Sequence, residues 1–159
     1  MAAERVREYL KRYHMQDRMR EFPVSSATVE LAAQALNVEP ARIAKSISLE
    51  YNGGCVIIVA AGDAKIDNAK FKAEFGIKAR MLAPENVEAQ TGYRVGGVCP
   101  FDNPESAKIY CDCSLQCFQE VFPAAGSSNS CVRLTCEELF DLSKSLKWVD
   151  VCKNWQEIS

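Results

Sequence analysis

The run Cys55-Val56-Ile57-Ile58-Val59-Ala60-Ala61 constrains this chain more than any other stretch. Seven consecutive apolar residues, four of them β-branched, lie between Gly53-Gly54 and Gly62-Asp63. That pattern predicts a central strand buried on both faces. Just upstream, Ile43-Ala44-Lys45-Ser46-Ile47-Ser48-Leu49 has the period of a half-buried strand, with Ile47 and Leu49 alternating with Ser46 and Ser48. Asn52-Gly53-Gly54 joins the two as a hairpin turn. Lys45 stands at the entrance of the first strand, after a helix-like run over residues 40–44, where a rigid base can aim one positive charge into a cleft. A solvated or snorkelling lysine is the plainer alternative.

Ahead of the hairpin, residues 1–21 predict an N-terminal helix, because Val6, Tyr9, Leu10 and Tyr13 recur at i, i+3, i+4 and i+7. Its six Lys/Arg and four Asp/Glu residues make a solvated face with ion pairs, or one that brushes a phosphate backbone. Phe22-Pro23-Val24 reads as a short edge strand, since proline cannot donate to a central ladder. Ser25, Ser26 and Thr28 offer N-caps for a helix through Val29, Leu31, Ala32, Ala35 and Leu36. Asn37 is a left-handed stop, and Pro40 opens the next short helix. Beyond the hairpin, Asp67 caps a helix carrying Ala69, Phe71, Ala73 and Phe75, which Gly76 ends. Residues 78–82 predict a strand and 84–90 a proline-led helix. A strand over 107–111 follows, with Ile109 inward, then a short helix over 114–120 and a strand over 131–134. Thr135 and Glu138 form a capping box for the helix through Leu139, Phe140 and Leu142, and residues 147–152 predict the last strand. A length of 159 residues with 48% apolar content suits one domain with a sizeable core. The expected architecture is α/β: a single domain over 1–159, with a mixed, largely antiparallel sheet flanked by helices.

Several chemistries are excluded by what the chain lacks. The net charge of −2 argues against general nucleic-acid coating, though a local basic patch can hold RNA. No apolar run reaches membrane-spanning length, and the first residues lack a secretory core, so the expected compartment is the cytoplasm. His14 is the only histidine and is peripheral, which disfavours a Ser-His or Cys-His nucleophile. There is no P-loop and no G-x-S-x-G elbow. The eight cysteines read as small buried hydrophobes; Cys111, Cys113 and Cys117 form the only spacing that hints at metal, without a nearby histidine or second pair. What remains is Lys45 and two glycine-rich loops, residues 92–100 and 126–129. Glycines let a backbone approach a ligand and turn N–H donors toward an oxyanion, while the plainer alternative makes Gly96-Gly97 a tight turn.

The motifs Ser26-Ala27-Thr28-Val29-Glu30-Leu31-Ala32-Ala33, Arg42-Ile43-Ala44-Lys45-Ser46 and Val59-Ala60-Ala61-Gly62-Asp63 are followed by three more. These are Thr91-Gly92-Tyr93, Gly96-Gly97-Val98-Cys99-Pro100-Phe101 and Ala125-Gly126-Ser127. In this order they resemble the YbaK/EbsC family of aminoacyl-tRNA deacylases, which shares its fold with the editing insertion of bacterial prolyl-tRNA synthetases. The family commonly has Lys-Thr where this chain has Lys45-Ser46. The resemblance implies a trans-editing hydrolase that cleaves the ester between a small wrong amino acid, such as alanine or cysteine, and the terminal ribose of a tRNA, tRNA-Pro among the candidates. It makes Lys45 the catalytic residue. Thr28, Ser46, Gly96, Gly97, Val98, Pro100, Gly126 and Ser127 become substrate-binding residues. No cofactor or metal is implied. The implied partners are the aminoacylated 3′ end of tRNA and an aminoacyl-tRNA synthetase, with no membrane. Two other readings stand beside it: a non-catalytic tRNA- or synthetase-binding module of the same fold, and a thiol-based metal or redox protein using Cys111, Cys113 and Cys117.

Overall fold

A computed structural model describes residues 2–23 and 28–155. The N-terminal helix, α1 (Ala2–Lys11), buries Val6, Tyr9 and Leu10. It is shorter than the periodicity predicts. His14 takes a left-handed conformation (φ 60°), its N–H returning to Lys11 and that of Met15 to Leu10. These paired bonds close the helix and leave Tyr13 beyond it and exposed. A short 3₁₀ turn (Gln16–Arg18) leads into β1 (Met19–Glu21).

That edge strand lies ahead of the expected Phe22-Pro23-Val24. Met19 is the residue that buries, and the ladder ends where the Phe22 N–H turns to the Asn129 carbonyl (2.8 Å), just before Pro23. Val24, Ser25 and Ser26 fall outside the described residues. α2 (Val29–Leu36) is capped by the Thr28 hydroxyl, which accepts the Leu31 N–H, and is stopped by left-handed Asn37. Pro40–Arg42 forms a 3₁₀ turn.

β2 (Ile43–Tyr51) and β3 (Gly54–Ala61) pair antiparallel around Asn52 and Gly53, both at positive φ, the geometry of a tight hairpin. Every residue of β3 from Cys55 onward is buried. β4 (Lys65–Ile66) precedes α3 (Asn68–Phe75), which Asp67 caps and Gly76 ends. Residues 78–82 do not make the predicted strand. They form a single bridge, Met81 to Leu49, flanked by Glu50 N–H to Arg80 O and Leu82 N–H to Ser48 O. Pro84, lacking an N–H, begins α4 (Pro84–Thr91) before the ladder can lengthen.

β5 (Ala107–Asp112) runs parallel to β3. The helix expected next is only a 3₁₀ turn (Cys113–Cys117), because Glu120 already belongs to β6 (Glu120–Pro123), a strand the sequence pattern does not announce. The strand expected over 131–134 is two: β7 (Ser130–Val132), paired with β1, and β8 (Leu134–Thr135), paired with β6. They divide at Arg133, whose N–H bonds Arg18 O. α5 (Cys136–Ser143) carries the capping box of Thr135 and Glu138. The last predicted strand also divides, into β9 (Trp148–Val149) beside β5 and β10 (Cys152–Lys153) beside β4.

The main sheet has the order β8-β6-β2-β3-β5-β9, with β1-β7 and β10-β4 as separate pairs. Within this main sheet two of the five pairings are antiparallel and three parallel, so the sheet is mixed as expected, and the long antiparallel β2–β3 hairpin is its largest pairing. One apolar core runs through α1, β2, β3, β5 and α5. A second, smaller cluster (Ala32, Ala33, Ile43, Phe122, Cys131) joins α2 to β2, β6 and β7.

Asp112 ties the C-terminal segment to this core. Its fully buried carboxylate accepts the Ser114 N–H (3.0 Å) and the Val151 N–H (2.8 Å). Asp112→Ala leaves both donors unpaired in the interior, and a loss of about 3 kcal/mol or more in urea unfolding is expected. A loss under about 1 kcal/mol would mean that water replaces both bonds.

Candidate functional site

Between α2, the start of β2, the β6–β7 edge, α4 and the loop after it lies a cavity of about 530 Å³. That volume is typical of a small-molecule site. Its wall is largely apolar: Val29 and Ala32 from α2, Ile43 from β2, Val87 from α4, Phe122 from β6. Lys45, Ser46, Ser48, Ser127 and Ser130 supply the polar points.

Lys45 is half-buried, and its ammonium donates to the Gly62 carbonyl at 3.3 Å. Gly62 is fixed in turn. Its N–H bonds Ala41 O, and a Cβ there would stand 2.1 Å from Pro40 O and 2.8 Å from Val29 Cγ1. Only glycine fits between the Pro40 turn and the end of β3, so the lysine's acceptor is held where no side chain can stand. Burial lowers the Lys45 pKa below 10.5; the negative groups nearby, Asp63 and Glu30 among them, oppose that shift without cancelling it.

The loop over residues 91–103 is bound to itself by side chains. The Thr91 hydroxyl donates to Val87 O (2.7 Å) and accepts the Tyr93 N–H (3.2 Å). Asn103 Nδ2 bonds both Thr91 O (2.8 Å) and Cys99 O (2.9 Å), and the Tyr93 hydroxyl reaches Phe101 O. Gly96 takes φ +90°, a left-handed turn that glycine adopts without strain, and together with Val95 and Val98 faces the cavity.

Six of the residues singled out in the sequence therefore meet at one cavity: Thr28, Lys45, Ser46, Gly96, Val98 and Ser127. Three do not line it. Gly97 donates its N–H to Arg94 O, and a Cβ on it would meet Gly126 O at 3.1 Å, so its bareness lets two loops touch rather than admitting a ligand. Gly126 packs against Ala2 and Val6. Pro100 is buried beneath the loop. Thr28 is already engaged as a helix cap, and the Ser127 hydroxyl bonds Asn129 and Ser130. Ser46 Oγ has no hydrogen-bond partner among the described residues.

Sequence reasoning missed much of the apolar wall. Ser48 was legible, lying two residues from Ser46 on the same strand face. Phe122, Ser130 and Cys131 were hidden because β6 and β7 are short and carry no alternation long enough to orient their side chains.

All eight cysteines are free thiols and five are buried. Cys111, Cys113 and Cys117 do not assemble into a ligand set. Among the described residues, Asp112, Cys113 and Asp150 bring ligand atoms within 4.8 Å of one another. The donors do not suit a metal: both Asp112 oxygens hold backbone N–H groups, and Asp150 pairs with Lys70 at 3.1 Å. Burial and the flanking carboxylates push the Cys113 thiol up to about 11, so it keeps its proton. In the cavity wall, burial pushes the Cys131 thiol up to about 12.

Residues 24–142 match the aminoacyl-tRNA editing domain family. The chain is 50% identical over 157 residues, 98% of its length, to the whole of YwhH of Bacillus subtilis, a protein of uncharacterised function. It is 28% identical over 118 residues, covering 73% of this chain and 72% of the other, to EbsC of Enterococcus faecalis, whose name provisionally assigns it as a Cys-tRNA(Pro)/Cys-tRNA(Cys) deacylase. A crystal structure of a protein provisionally assigned as a trans-editing enzyme for prolyl tRNA synthetase superposes with a TM-score of 0.86. It shares 29% identity and covers 96% of this chain and 97% of its own. No helix among the described residues is long and apolar enough to cross a membrane.

Two measurements probe the lysine's setting. Gly62→Ala drives a Cβ into Pro40 O and is expected to lose about 3 kcal/mol or more in urea unfolding. Between its lowered pKa and 10.5, Lys45 binds fewer protons in the folded chain than in the unfolded one, so its contribution to stability grows as pH rises through that window. The stability difference between the parent chain and Lys45→Met should move in the parent's favour across this window; a pH-independent difference would show that the ammonium is not desolvated.

Proposed function

The chain belongs to the aminoacyl-tRNA editing domain family, and on that premise we propose that it is a trans-editing deacylase, hydrolysing the ester between a small wrong amino acid and the terminal ribose of a tRNA. The observation that carries this reading is one half-buried ammonium held by a backbone carbonyl at the edge of an otherwise apolar cavity. Such a site suits a neutral or anionic acyl group with a small side chain.

In this reading Lys45 anchors the carbonyl end of the aminoacyl-adenosine. The ester is already activated, so a positioned water and oxyanion donors suffice, and no side-chain nucleophile is required. The Gly97 N–H is committed to Arg94 O and neither Gly97 nor Gly126 lines the cavity, which leaves the N–H groups of Gly96 and Val98, on its wall, as the backbone donors for the oxyanion. Ser46 Oγ, lacking a partner among the described residues, is available to the substrate's amino or hydroxyl groups. A neighbouring ribose hydroxyl of the substrate orients the water.

Selection follows from the second-sieve argument. A synthetase cannot reject a smaller or similar-sized side chain by binding alone, so a separate site must hydrolyse the product. Alanine and cysteine, on tRNA-Pro in the first instance, are the proposed side chains. The synthetase that makes the error is the proposed docking partner. All of 1–159 is proposed to act as one editing domain.

The test is single-turnover deacylation of a panel of mischarged tRNAs. Lys45→Ala is expected to lose about 30- to 1,000-fold in rate, the equivalent of about 2–4 kcal/mol of charge-assisted hydrogen bonding in a dry site. Lys45→Arg should recover only part, because a planar fork does not reproduce a compact ammonium. Ala32→Leu fills the cavity and should reduce hydrolysis of the larger acyl groups first. A near-normal rate in Lys45→Ala would remove the lysine from the mechanism and favour a binding module.

A further inference from the structure

Helix α1 precedes residues 24–142, the segment that matches the editing family, yet it touches both glycine loops. From it, Arg5 reaches the two ends of the 91–103 loop at once. Its guanidinium lies 4.3 Å above the centre of the Tyr93 ring, its Nη2 donates to Gly92 O at 2.8 Å, and its Nε stands 3.6 Å from the Asp102 carboxylate. Gly92 and Tyr93 open the loop and Asp102 closes it, with the cavity-lining Val95, Gly96 and Val98 between them. The second loop is held by the same helix. Gly126 sits so near α1 that a Cβ on it would stand 2.8 Å from Ala2 O and 2.9 Å from Val6 Cγ2. Gly126 in turn backs Gly97.

We propose that α1 is a strap for one wall of the cavity, and that Arg5 is a positioning residue which holds the 91–103 loop in its ligand-competent shape. The catalytic part of this inference rests on the deacylase reading; the ordering part does not. Arg5 makes no contact with the cavity. It acts through Gly92, Tyr93 and Asp102, and the loop they frame presents Gly96 and Val98. A single planar cation suits the task because stacking, a carbonyl bond and an ion pair are satisfied in different directions, which a lysine cannot reproduce.

The test compares Arg5→Ala, Arg5→Lys and the parent chain by amide hydrogen exchange and by single-turnover deacylation. In Arg5→Ala, exchange of the amides of residues 93–99 should quicken about tenfold while those of β3 stay unchanged. With the best mischarged tRNA the saturated rate should fall about tenfold, with less than about a twofold change in tRNA affinity. Arg5→Lys keeps the ion pair with Asp102 and should lie between the two on both readouts. Unchanged exchange in Arg5→Ala overturns the proposal, as does an equal quickening in β3, which would make Arg5 a general stabiliser. Faster loop exchange with an unaltered rate overturns the positioning role. If the parent chain deacylates none of the tRNAs, the deacylase reading fails by itself, and the exchange profile still decides whether Arg5 orders the wall.

Discussion

A strand with no solvent face obliges the rest of the chain to cover it. Each residue of β3 from Cys55 to Ala61 is buried, so neighbours are required at both edges and over both faces. β2 and β5 take the edges. α4 and the turn at Cys113–Cys117 pack against the strand, the latter with the Ser114 hydroxyl accepting the Ala61 N–H at 3.1 Å. The cavity follows from that arrangement. β6 reaches β2 only at Ile43 and Ala44, and α2 covers the join through its own small cluster rather than through the main core. The gap between the two packed regions is the cavity, with α4 as one wall because α4 is already held against β3.

Close approach between backbones sets the remaining geometry. Gly62, Gly97 and Gly126 each occupy a place where a Cβ would press on a carbonyl or on the neighbouring backbone. At Gly62 the result is an acceptor for the Lys45 ammonium, at Gly97 it is contact between two loops, and at Gly126 it is contact between a loop and α1. None of these three glycines lines the cavity itself. They bring the groups that line the cavity within reach of one another, which is why a motif rich in glycine can mark a site without every glycine lying in it.

Much of the fold was legible because the strongest local signals are also the ones tertiary structure keeps. The apolar run of β3, the Asn52-Gly53 turn, the caps at Thr28, Asp67 and Thr135, and the left-handed stop at Asn37 each depend on a few adjacent residues. Long-range effects were not legible. The division of two predicted strands at Arg133 and Val151, and the conversion of residues 78–82 into a single bridge, depend on partners far along the chain: Arg18, Asp112 and Ser48. In the site, the lysine and the loop carrying Gly96 and Val98 could be found from motif order. The assignment of Gly97, Pro100 and Gly126 to the wall missed because motif order does not say which glycine faces a ligand and which faces another loop.

The thiol of Cys131 gives the cavity a further character. It lies in the wall, and burial leaves it with its proton at neutral pH. A protonated thiol is a weak nucleophile, so an activated acyl group of the kind proposed would not be drawn into a thioester on it. Cys99, fully buried behind the loop and likewise raised, is no better placed to accept an acyl group. Hydroxyls, a sulfur and an ammonium thus share one small space, and on the proposed deacylase reading the thiol leaves water as the acceptor.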